Sequence, residues 1–183
     1  QVCAWYGVTS GLNHFKYATS SGNGISNSDF VIGVGYFGKI NNAGSKTNHV
    51  YTTECPGYQY TFDVSLDAIA HEFTHGVFRQ FSIPNNSSLT MKGINEGYAD
   101  LFACFIDENW TVNESVVGNK IESYRNAANA PDIEIDFNSE EITLDEHYYI
   151  PFITYPAYLM ATKYNISMDF HSILVYNIRS SYR

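Results

Sequence analysis

The sequence predicts an α+β fold, with a strand-rich amino-terminal lobe over residues 1–76, a mainly helical carboxy-terminal lobe over residues 77–183, and a cleft between the two. Two patterns predict this division. The first 64 residues are rich in Gly, Ser, Asn, Tyr and Thr, and their β-like runs are separated by turn-rich stretches. From Ser65 onward, apolar residues recur at helical spacing instead. A chain of 183 residues with 44% hydrophobic content is long enough for one core divided into two such lobes.

The predicted strands of the first lobe lie in "DFVIGVGYF" and "YQYTFDV", and the stretches "SSGNGISNS" and "KINNAGSKTN" are predicted to be turns or loops. Helical periodicity then begins, and Ser65 is placed to cap the start of the first helix. The residues that carry this periodicity are Leu66, Ile69, Ala70, Phe73, Val77 and Phe81. The amino-terminal lobe is expected to end within this helix.

A polar loop, "SIPNNSSLT", leads to a second predicted helix in "INEGYADLFACFI", which is expected to pack against the first. The acidic stretches "IDENWTVNES" and "APDIEIDFNSEEITLDE" are predicted to be long loops. Two further helices are predicted in "HYYIPFITYPAYLMATKY" and "MDFHSILVYNI", and Pro151 and Pro156 predict that the first of these is irregular.

Composition excludes some classes of function. The formal net charge is −9 with only 10 Lys and Arg, which argues against a nucleic-acid partner. No apolar run approaches the roughly 20 residues needed to span a bilayer, so no membrane span is expected. Cys104 in "LFACFI" is expected to be buried, which favours Cys3 and Cys55 as a pair. Asn-x-Ser/Thr sequons favour an extracellular, secreted protein, and they occur at Asn85, Asn86, Asn109, Asn113 and Asn165.

The stretch "DAIAHEFTHGVFRQF" in the first helix places His71 and His75 four residues apart, with Glu72 directly after the first. Residues four apart lie on one helix face, so both imidazoles can point at a single ion with a carboxylate beside them. This HExxH pattern is typical of two zinc ligands with an attached general base. The alternative is two unrelated histidines on the face of a helix.

The second helix carries the stretch "GINEGYAD", in which Asp100 follows Glu96 by one turn. A catalytic zinc needs three protein ligands and an open position for water, and Glu96 would complete a His/His/Glu set. Asp100 is expected to accept the free N–H of a ligating imidazole, that of His71, and so to fix its tautomer. The alternative is that Glu96 and Asp100 are ordinary solvated helix residues.

These residues resemble the thermolysin family of zinc metallopeptidases, in which an HExxH helix is followed by a helix with a "NExxxD"-type motif. The resemblance covers nearly the entire chain and is strongest between Asp67 and Asp107. Four further stretches fall in the family's order at similar spacing, namely "YGVT" at 6–9, "NNA" at 41–43, "IESYRNAANAP" at 121–131 and "HYYIPFITYPAYLM" at 147–160.

The resemblance implies a thermolysin-like fold with a zinc site in the cleft and the activity of a zinc metalloendopeptidase that acts on peptide or protein substrates. It implies that Glu72 is the general base and acid and that His147 stabilises the oxyanion. His71, His75 and Glu96 would bind zinc, while Asn42, Ala43 and Arg125 would position the peptide backbone of the substrate. The chemistry of the residues agrees for the metal and Glu72, because zinc lowers the pKa of water and a neighbouring carboxylate can take its proton.

Calcium is a second expected cation, since Asp67, Asp107 and Glu114 match acidic calcium positions of the family and Asn109 can add a carbonyl oxygen. A hard cation takes six to eight oxygen ligands, which this acidic stretch is able to supply. The alternative is a solvated acidic face.

Several departures from the family pattern keep a second function open. The stretch between His75 and Glu96 lacks the family's tyrosine, and Gly44 and Ser45 replace an aromatic pair. The acidic partner of His147 is not evident among Glu140, Glu141, Asp145 and Glu146. The chain is also expected to lack part of the strand-rich lobe and the final helices of the family. An inactive zinc-binding relative that serves as a structural or interaction module is therefore the main alternative. A zinc aminopeptidase is less favoured, because no acidic motif stands in the strand region.

Overall fold

The computed structural model describes residues 31–32, 42–46, 49–52, 62–80, 89–117, 125–130 and 145–164. The helices are α1 (Leu66–Gln80), α2 (Leu89–Asp107), α3 (Glu114–Val117) and α4 (Ile150–Lys163), with 3-10 turns at Phe62–Val64 and Glu146–Tyr149. The strands are β1 (Val31–Ile32), β2 (Ala43–Lys46), β3 (His49–Thr52), β4 (Thr111–Val112) and β5 (Arg125–Asn126). The predicted Cys3–Cys55 pair and the helix predicted in "MDFHSILVYNI" lie outside the described residues. The described part is mostly helical with short strands, and the two-lobe division stays a prediction.

Three strands form a sheet in the order β1-β3-β2, in which β1 is parallel and β2 antiparallel to β3. Ala43 pairs with Thr52 and Ser45 with Val50, so these four side chains share the face of the sheet that packs towards α1. The prediction of a loop over "KINNAGSKTN" is wrong for β2. Local Gly and Asn content suggested a turn, but pairing with β3 and burial of one face decide the conformation.

Helix α1 confirms the first predicted helix. Ser65 precedes it, and its Oγ accepts a hydrogen bond from the backbone N–H of Ala68 at 3.3 Å, as expected of a cap. Ile69, Phe73 and Val77 are almost fully buried along one stripe of α1, while His71, His75 and Phe78 lie on the face that packs against α2. Truncation of Phe73 to alanine is expected to cost about 3–5 kcal/mol, because the cavity cannot fully collapse. Because these apolar side chains are used for packing, the other faces of α1 remain available for a functional site.

Helix α2 is longer than predicted, because it begins at Leu89 rather than Ile94. The predicted loop "SIPNNSSLT" therefore ends before Leu89, and Met91 and Lys92, which favour helices, extend the first turn. Two glycines face the segment that precedes and begins α4. A Cβ at Gly93 would overlap Tyr149, and one at Gly97 would lie 2.7 Å from Cγ1 of Ile153. Glycine is thus required for this close approach.

Three further predictions of local structure differ from the fold. Phe62–Val64, placed in a strand by "YQYTFDV", form a 3-10 turn. The acidic stretch "IDENWTVNES" contains β4 and the start of α3, and β4 pairs with β5 in antiparallel fashion. The predicted irregular helix begins as a 3-10 turn and becomes regular in α4, with Pro151 in its first turn and Pro156 inside it. Long-range pairing, which local patterns do not reveal, explains β4 and β5.

Two other predictions concern burial and membranes. Cys104 is buried in α2, as predicted, and burial raises the pKa of its thiol. Among the helices that the structure describes, none combines the length and the apolar character that crossing a bilayer requires.

Candidate metal centre

Three side chains from α1 and α2 converge on one point. The Nε2 atoms of His71 and His75 lie 3.0 Å apart. Oε2 of Glu96 lies 3.1 Å from Nε2 of His71 and 3.4 Å from Nε2 of His75. Four ligands at about 2.0–2.1 Å around a tetrahedral zinc are separated from each other by roughly 3.3 Å. The triangle of ligand atoms therefore has the dimensions that a zinc ion requires, and these residues form one of two groups able to hold a metal in the described part of the chain.

His71 is oriented by Asp100, the role that the sequence predicts for that residue. Asp100 is 1% exposed, and its Oδ1 lies 2.7 Å from Nδ1 of His71. A carboxylate there accepts the Nδ1 proton, so the neutral ring presents the lone pair of Nε2 to an ion. Burial would raise the pKa of Asp100, but the charge of Arg125 and the hydrogen bond to His71 hold it well below its usual range.

His75 has a matching partner that the sequence prediction missed. Oδ1 of Asn95 lies 2.5 Å from Nδ1 of His75, and Asn95 is buried on α2. The only sequence signal is its position directly before Glu96, in the Asn-Glu pair of the motif. Each imidazole thus has its distal nitrogen held by α2, which orients both rings before any ion binds.

The charges around the histidines favour a divalent cation. Glu72, Glu96 and Asp100 carry three formal negative charges, and Arg125 supplies one positive charge. Burial lowers the pKa of His71, but its hydrogen bonds to Asp100 and Glu96 raise it more, to about 10 when no metal is bound. Without a metal, His71 is therefore protonated at neutral pH. When a metal replaces that proton, both imidazoles are neutral, and the charged residues around them leave a formal charge of −2 for the metal to balance.

Glu72, the predicted general base, faces a cavity beside the ligand triangle. The cavity has a volume of about 280 Å³. Its lining includes His71 and Glu72 from α1, His147 from the turn before α4, and Asn42 and Ala43 from the start of β2. The residues predicted to act on the substrate are therefore brought together around one space.

His147 lies at the edge of this cavity, with 46% of its side chain exposed. Its Nε2 is 3.6 Å from Oε2 of Glu96, and its Nδ1 is 2.6 Å from Oδ1 of Asp145. Asp145 also accepts the backbone N–H of His147 at 3.0 Å, and these two bonds lower the pKa of the Asp145 carboxyl. Asp145 is thus the partner that the sequence left open among four acids. The Nε2 atom of His147 consequently points towards the metal centre.

Arg125, predicted to contact the substrate, reaches the cavity from β5 while bound to Asp100. Its Nε lies 2.5 Å from Oδ2 and its Nη2 2.6 Å from Oδ1 of that carboxylate. Burial lowers the pKa of Arg125, but the charge of Asp100 raises it beyond its ordinary value. This bidentate pair fixes the plane of the guanidinium, and within the described part of the chain its remaining N–H groups are left to donate to a ligand.

A second acidic group lies where calcium is expected. Asp67, Asp107 and Glu114 each offer a carboxylate oxygen, and these atoms all lie within 4.8 Å of one another. Oε2 of Glu114 is buried and has no hydrogen-bond partner among the described residues, and Asn109 donates to Oε1 of the same side chain at 2.5 Å. The backbone N–H of Asn113 and the hydroxyl of Ser65 contact the Asp67 carboxylate. A cation would satisfy the orphaned oxygen of Glu114.

Burial is the main cause of altered titration in this acidic group. It raises the pKa of Asp67 to about 7, with the charges of Glu114 and Asp107 adding to the effect and backbone N–H groups opposing it. It also raises the pKa of Asp107 to about 6, and the Glu114 carboxylate adds to that shift. Packing three carboxylates together without a cation is therefore unfavourable at neutral pH.

No protein-family model matches the chain, and the search of curated proteins found no match either. Any proposal of function therefore depends on the residues of the metal centre and on their geometry.

Proposed function

We propose that this protein is a zinc-dependent endopeptidase of the thermolysin type, in which Glu72 is the general base. The observation that carries the proposal is the triangle formed by His71, His75 and Glu96, because His71 also lines the cavity that holds Glu72 and His147. A structural zinc site is closed by a fourth protein ligand, whereas a catalytic site keeps one position open.

The donor set favours zinc among the common cations. Two imidazole nitrogens and one carboxylate oxygen suit zinc, whereas calcium and magnesium take oxygen ligands almost exclusively. A zinc ion held by these residues would act as a Lewis acid and would lower the pKa of water at the open position.

The chain's own residues then move the protons. Glu72 accepts a proton from the attacking water and transfers it to the departing amine. When both of its ring nitrogens carry a proton, His147 donates one hydrogen bond from Nδ1 to Asp145 and another from Nε2, which points towards the centre, to the negative charge that develops on the carbonyl oxygen. Asp145 holds Nδ1 of that ring, which keeps the donating nitrogen directed at the reacting carbonyl. Glu72 thus transfers the proton of the attacking water, and His147 stabilises the negative charge on the carbonyl oxygen.

Peptide substrates suit the shape of the site. Asn42 and Ala43 lie at the cavity and lead into β2, which is an edge strand among the described strands. An edge strand offers unpaired backbone groups to an extended peptide. The Arg125 guanidinium, fixed by Asp100, has N–H groups left for a substrate carbonyl. This arrangement supports cleavage within a chain, in agreement with the endopeptidase that the sequence predicts. Secretion remains a prediction from the sequons.

The competing function is that of a zinc-binding module without activity. It is favoured by the missing tyrosine and by Gly44 and Ser45 in place of an aromatic pair. It is opposed by the position of Glu72, because a purely structural zinc needs no base beside it.

The experiment compares zinc-loaded wild type with Glu72→Gln on a set of internally quenched peptides. We expect the variant to keep one equivalent of zinc by elemental analysis and to lose roughly 10²- to 10⁴-fold in turnover, which is the usual contribution of a general base. Glu108→Gln, which changes an exposed acid outside the cavity, is the matched control and should cleave like wild type. Zinc-loaded wild type that cleaves no peptide would establish the module instead, and Glu72→Gln that cleaves at the wild-type rate would overturn the role of Glu72 as the general base.

A further inference from the structure

One face of α1 continues beyond the metal centre to an arginine that the proposed reaction does not use. Glu72, His75 and Arg79 are spaced at i, i+3 and i+7, so they lie within one sector of the helix. Arg79 is displaced from Glu72 by about 10 Å along the axis, at 1.5 Å per residue. This face of α1 therefore carries the negatively charged Glu72 beside the metal centre and the positively charged Arg79 at its far end.

Strand β2 lies over this same face. Asn42 and Ala43 line the cavity that contains Glu72, whereas Ser45 accepts a hydrogen bond from Nη2 of Arg79 at 2.7 Å. The strand thus runs in the same direction as α1, with its first residues near Glu72 and a later residue near Arg79. Because β2 is at the edge of the described sheet, a peptide that adds to it would lie along the line from Arg79 to Glu72.

Arg79 lacks an acidic partner in the described part of the chain. Its one hydrogen bond goes to a neutral hydroxyl, and its Nε is buried without a partner. Burial lowers the pKa of Arg79, although the charge of Glu72 opposes this effect. A partly buried guanidinium without an anion is unfavourable, and a carboxylate is the ligand that matches its planar set of donors. The contrast with Arg125, which Asp100 binds in bidentate fashion, is direct.

The direction of β2 decides which side of the scissile bond faces Arg79. Antiparallel pairing is slightly more stable per residue than parallel pairing. A peptide that pairs antiparallel to β2 runs from the Arg79 end to the Glu72 end, so the residues near Arg79 precede the scissile bond. The axial distance of about 10 Å corresponds to roughly three residues of extended chain at 3.3 Å each.

We propose that Arg79 is a specificity-determining residue that binds an acidic side chain of the substrate, about two or three residues on the amino-terminal side of the scissile bond. This inference rests on the proposed peptidase function. The overall negative charge of the protein disfavours acidic side chains at the other positions of a substrate. The preference for an acidic side chain is therefore confined to the position that contacts Arg79.

The test uses a neutral peptide that zinc-loaded wild type cleaves and a series in which Glu or Gln occupies each position from four residues before to three residues after the scissile bond. Glu and Gln have nearly the same shape, so the ratio of their kcat/KM values isolates the charge. We expect a Glu/Gln ratio of about 10 at one or two positions two or three residues before the bond, as for a charge-assisted hydrogen bond. Arg79→Gln should reduce that ratio to about 1, and Arg79→Lys should keep part of it.

The controls separate this inference from its premise. Lys163→Gln removes an exposed positive charge at the end of α4 and should keep the wild-type ratio. A ratio near 1 in wild type, a preference on the carboxy-terminal side, or a ratio unchanged in Arg79→Gln would overturn the role of Arg79 while the peptidase stands. If Arg79→Gln lowers the rates for Glu and Gln peptides equally, Arg79 only connects α1 to β2, and its role in specificity is overturned. Absence of cleavage of every peptide would overturn the peptidase proposal, and this inference with it.

Discussion

Oδ1 of Asp145 lies 2.6 Å from Nδ1 of His147, and this contact orients the imidazole at the edge of the candidate site. Asp145 itself is mostly exposed, so its hydrogen bond to His147 is weak in free energy, and its main effect is to orient the imidazole ring. The two residues belong to one short turn before α4, which makes their contact local to that turn.

We expect Asp145→Asn to lower turnover by about threefold to tenfold with unchanged zinc content, because the ring loses its anionic acceptor. His147→Ala should lower turnover by about 10²- to 10³-fold, as for loss of one donor to the oxyanion. Steady-state kinetics of both variants and of the double variant measure the coupling. Asp145→Asn should have no further effect in the His147→Ala background, whereas additive losses would show that Asp145 acts elsewhere. Glu146→Gln, in the same turn, is the control.

Zinc affinity should fall by about 10- to 100-fold in Asp100→Asn, because His71 loses the carboxylate that fixes its tautomer. Asn95→Ala should weaken binding through His75 by a similar mechanism, and competition with a chromophoric chelator measures both constants. Thermal unfolding of the zinc-free variants serves as the control for folding. Unchanged affinity in both variants would mean that the two contacts do not orient the ligands.

Calcium should raise the melting temperature of zinc-loaded protein more at pH 8 than at pH 5. The pKa values of Asp67 and Asp107, about 7 and about 6, lie above the ordinary value of 3.8. Without calcium, the stability that these protonated groups contribute is complete below about pH 4 and is lost as the pH rises through 6 and 7. Calcium binds the deprotonated carboxylates and offsets this loss.

The calcium experiment has matched variants in the chain. Glu114→Gln should abolish the calcium-dependent gain in melting temperature, while Glu108→Gln, which changes the exposed acid next to Asp107, should preserve it. An equal gain at both pH values, or none in wild type, would identify the three carboxylates as a solvated cluster.

Helix packing should be sensitive to one methyl group at Gly97. Alanine is the better helix former by about 1 kcal/mol, but a Cβ here meets Ile153 of α4, and overpacking usually costs about 1–3 kcal/mol. We therefore expect Gly97→Ala to lower the free energy of unfolding in denaturant titrations. A double variant with Ile153→Ala, which removes the Cγ1 atom that the new methyl group meets, should lose less than the sum of the two single losses, and an increase in stability for Gly97→Ala would contradict the observed close approach.

The sequence predicted the parts of the site that depend on helical periodicity. The spacing of His71 and His75 and the turn from Glu96 to Asp100 are geometric properties of a helix, so they survive without knowledge of the tertiary structure. Asn95 was missed, because no local rule distinguishes it from a solvated helix residue. Asp145 remained one of several acids, because its contact with His147 depends on a 3-10 turn that the acidic pattern does not reveal.

The strands were predicted less well, for a related reason. Residues of β2 look like a turn by composition, and only pairing with β3 makes them extended. Arg125 similarly appears as a loop residue until β5 pairs with β4. Contacts between distant parts of the chain decide both, including the bond between Arg79 and Ser45 that local patterns could not suggest.

The burial of α2 on all sides limits which amino-acid substitutions this helix can accept. From Met91 to Asp107 no residue of this helix is fully exposed. Asn95 and Glu96 serve the histidines of α1, Gly97 faces α4, and Phe102 fills the core. A saturation library should therefore show intolerance around the entire circumference of α2, in place of the usual alternation of constrained and permissive positions. In α4, by contrast, Phe152 and Pro156 are exposed, so substitutions there should be recovered freely.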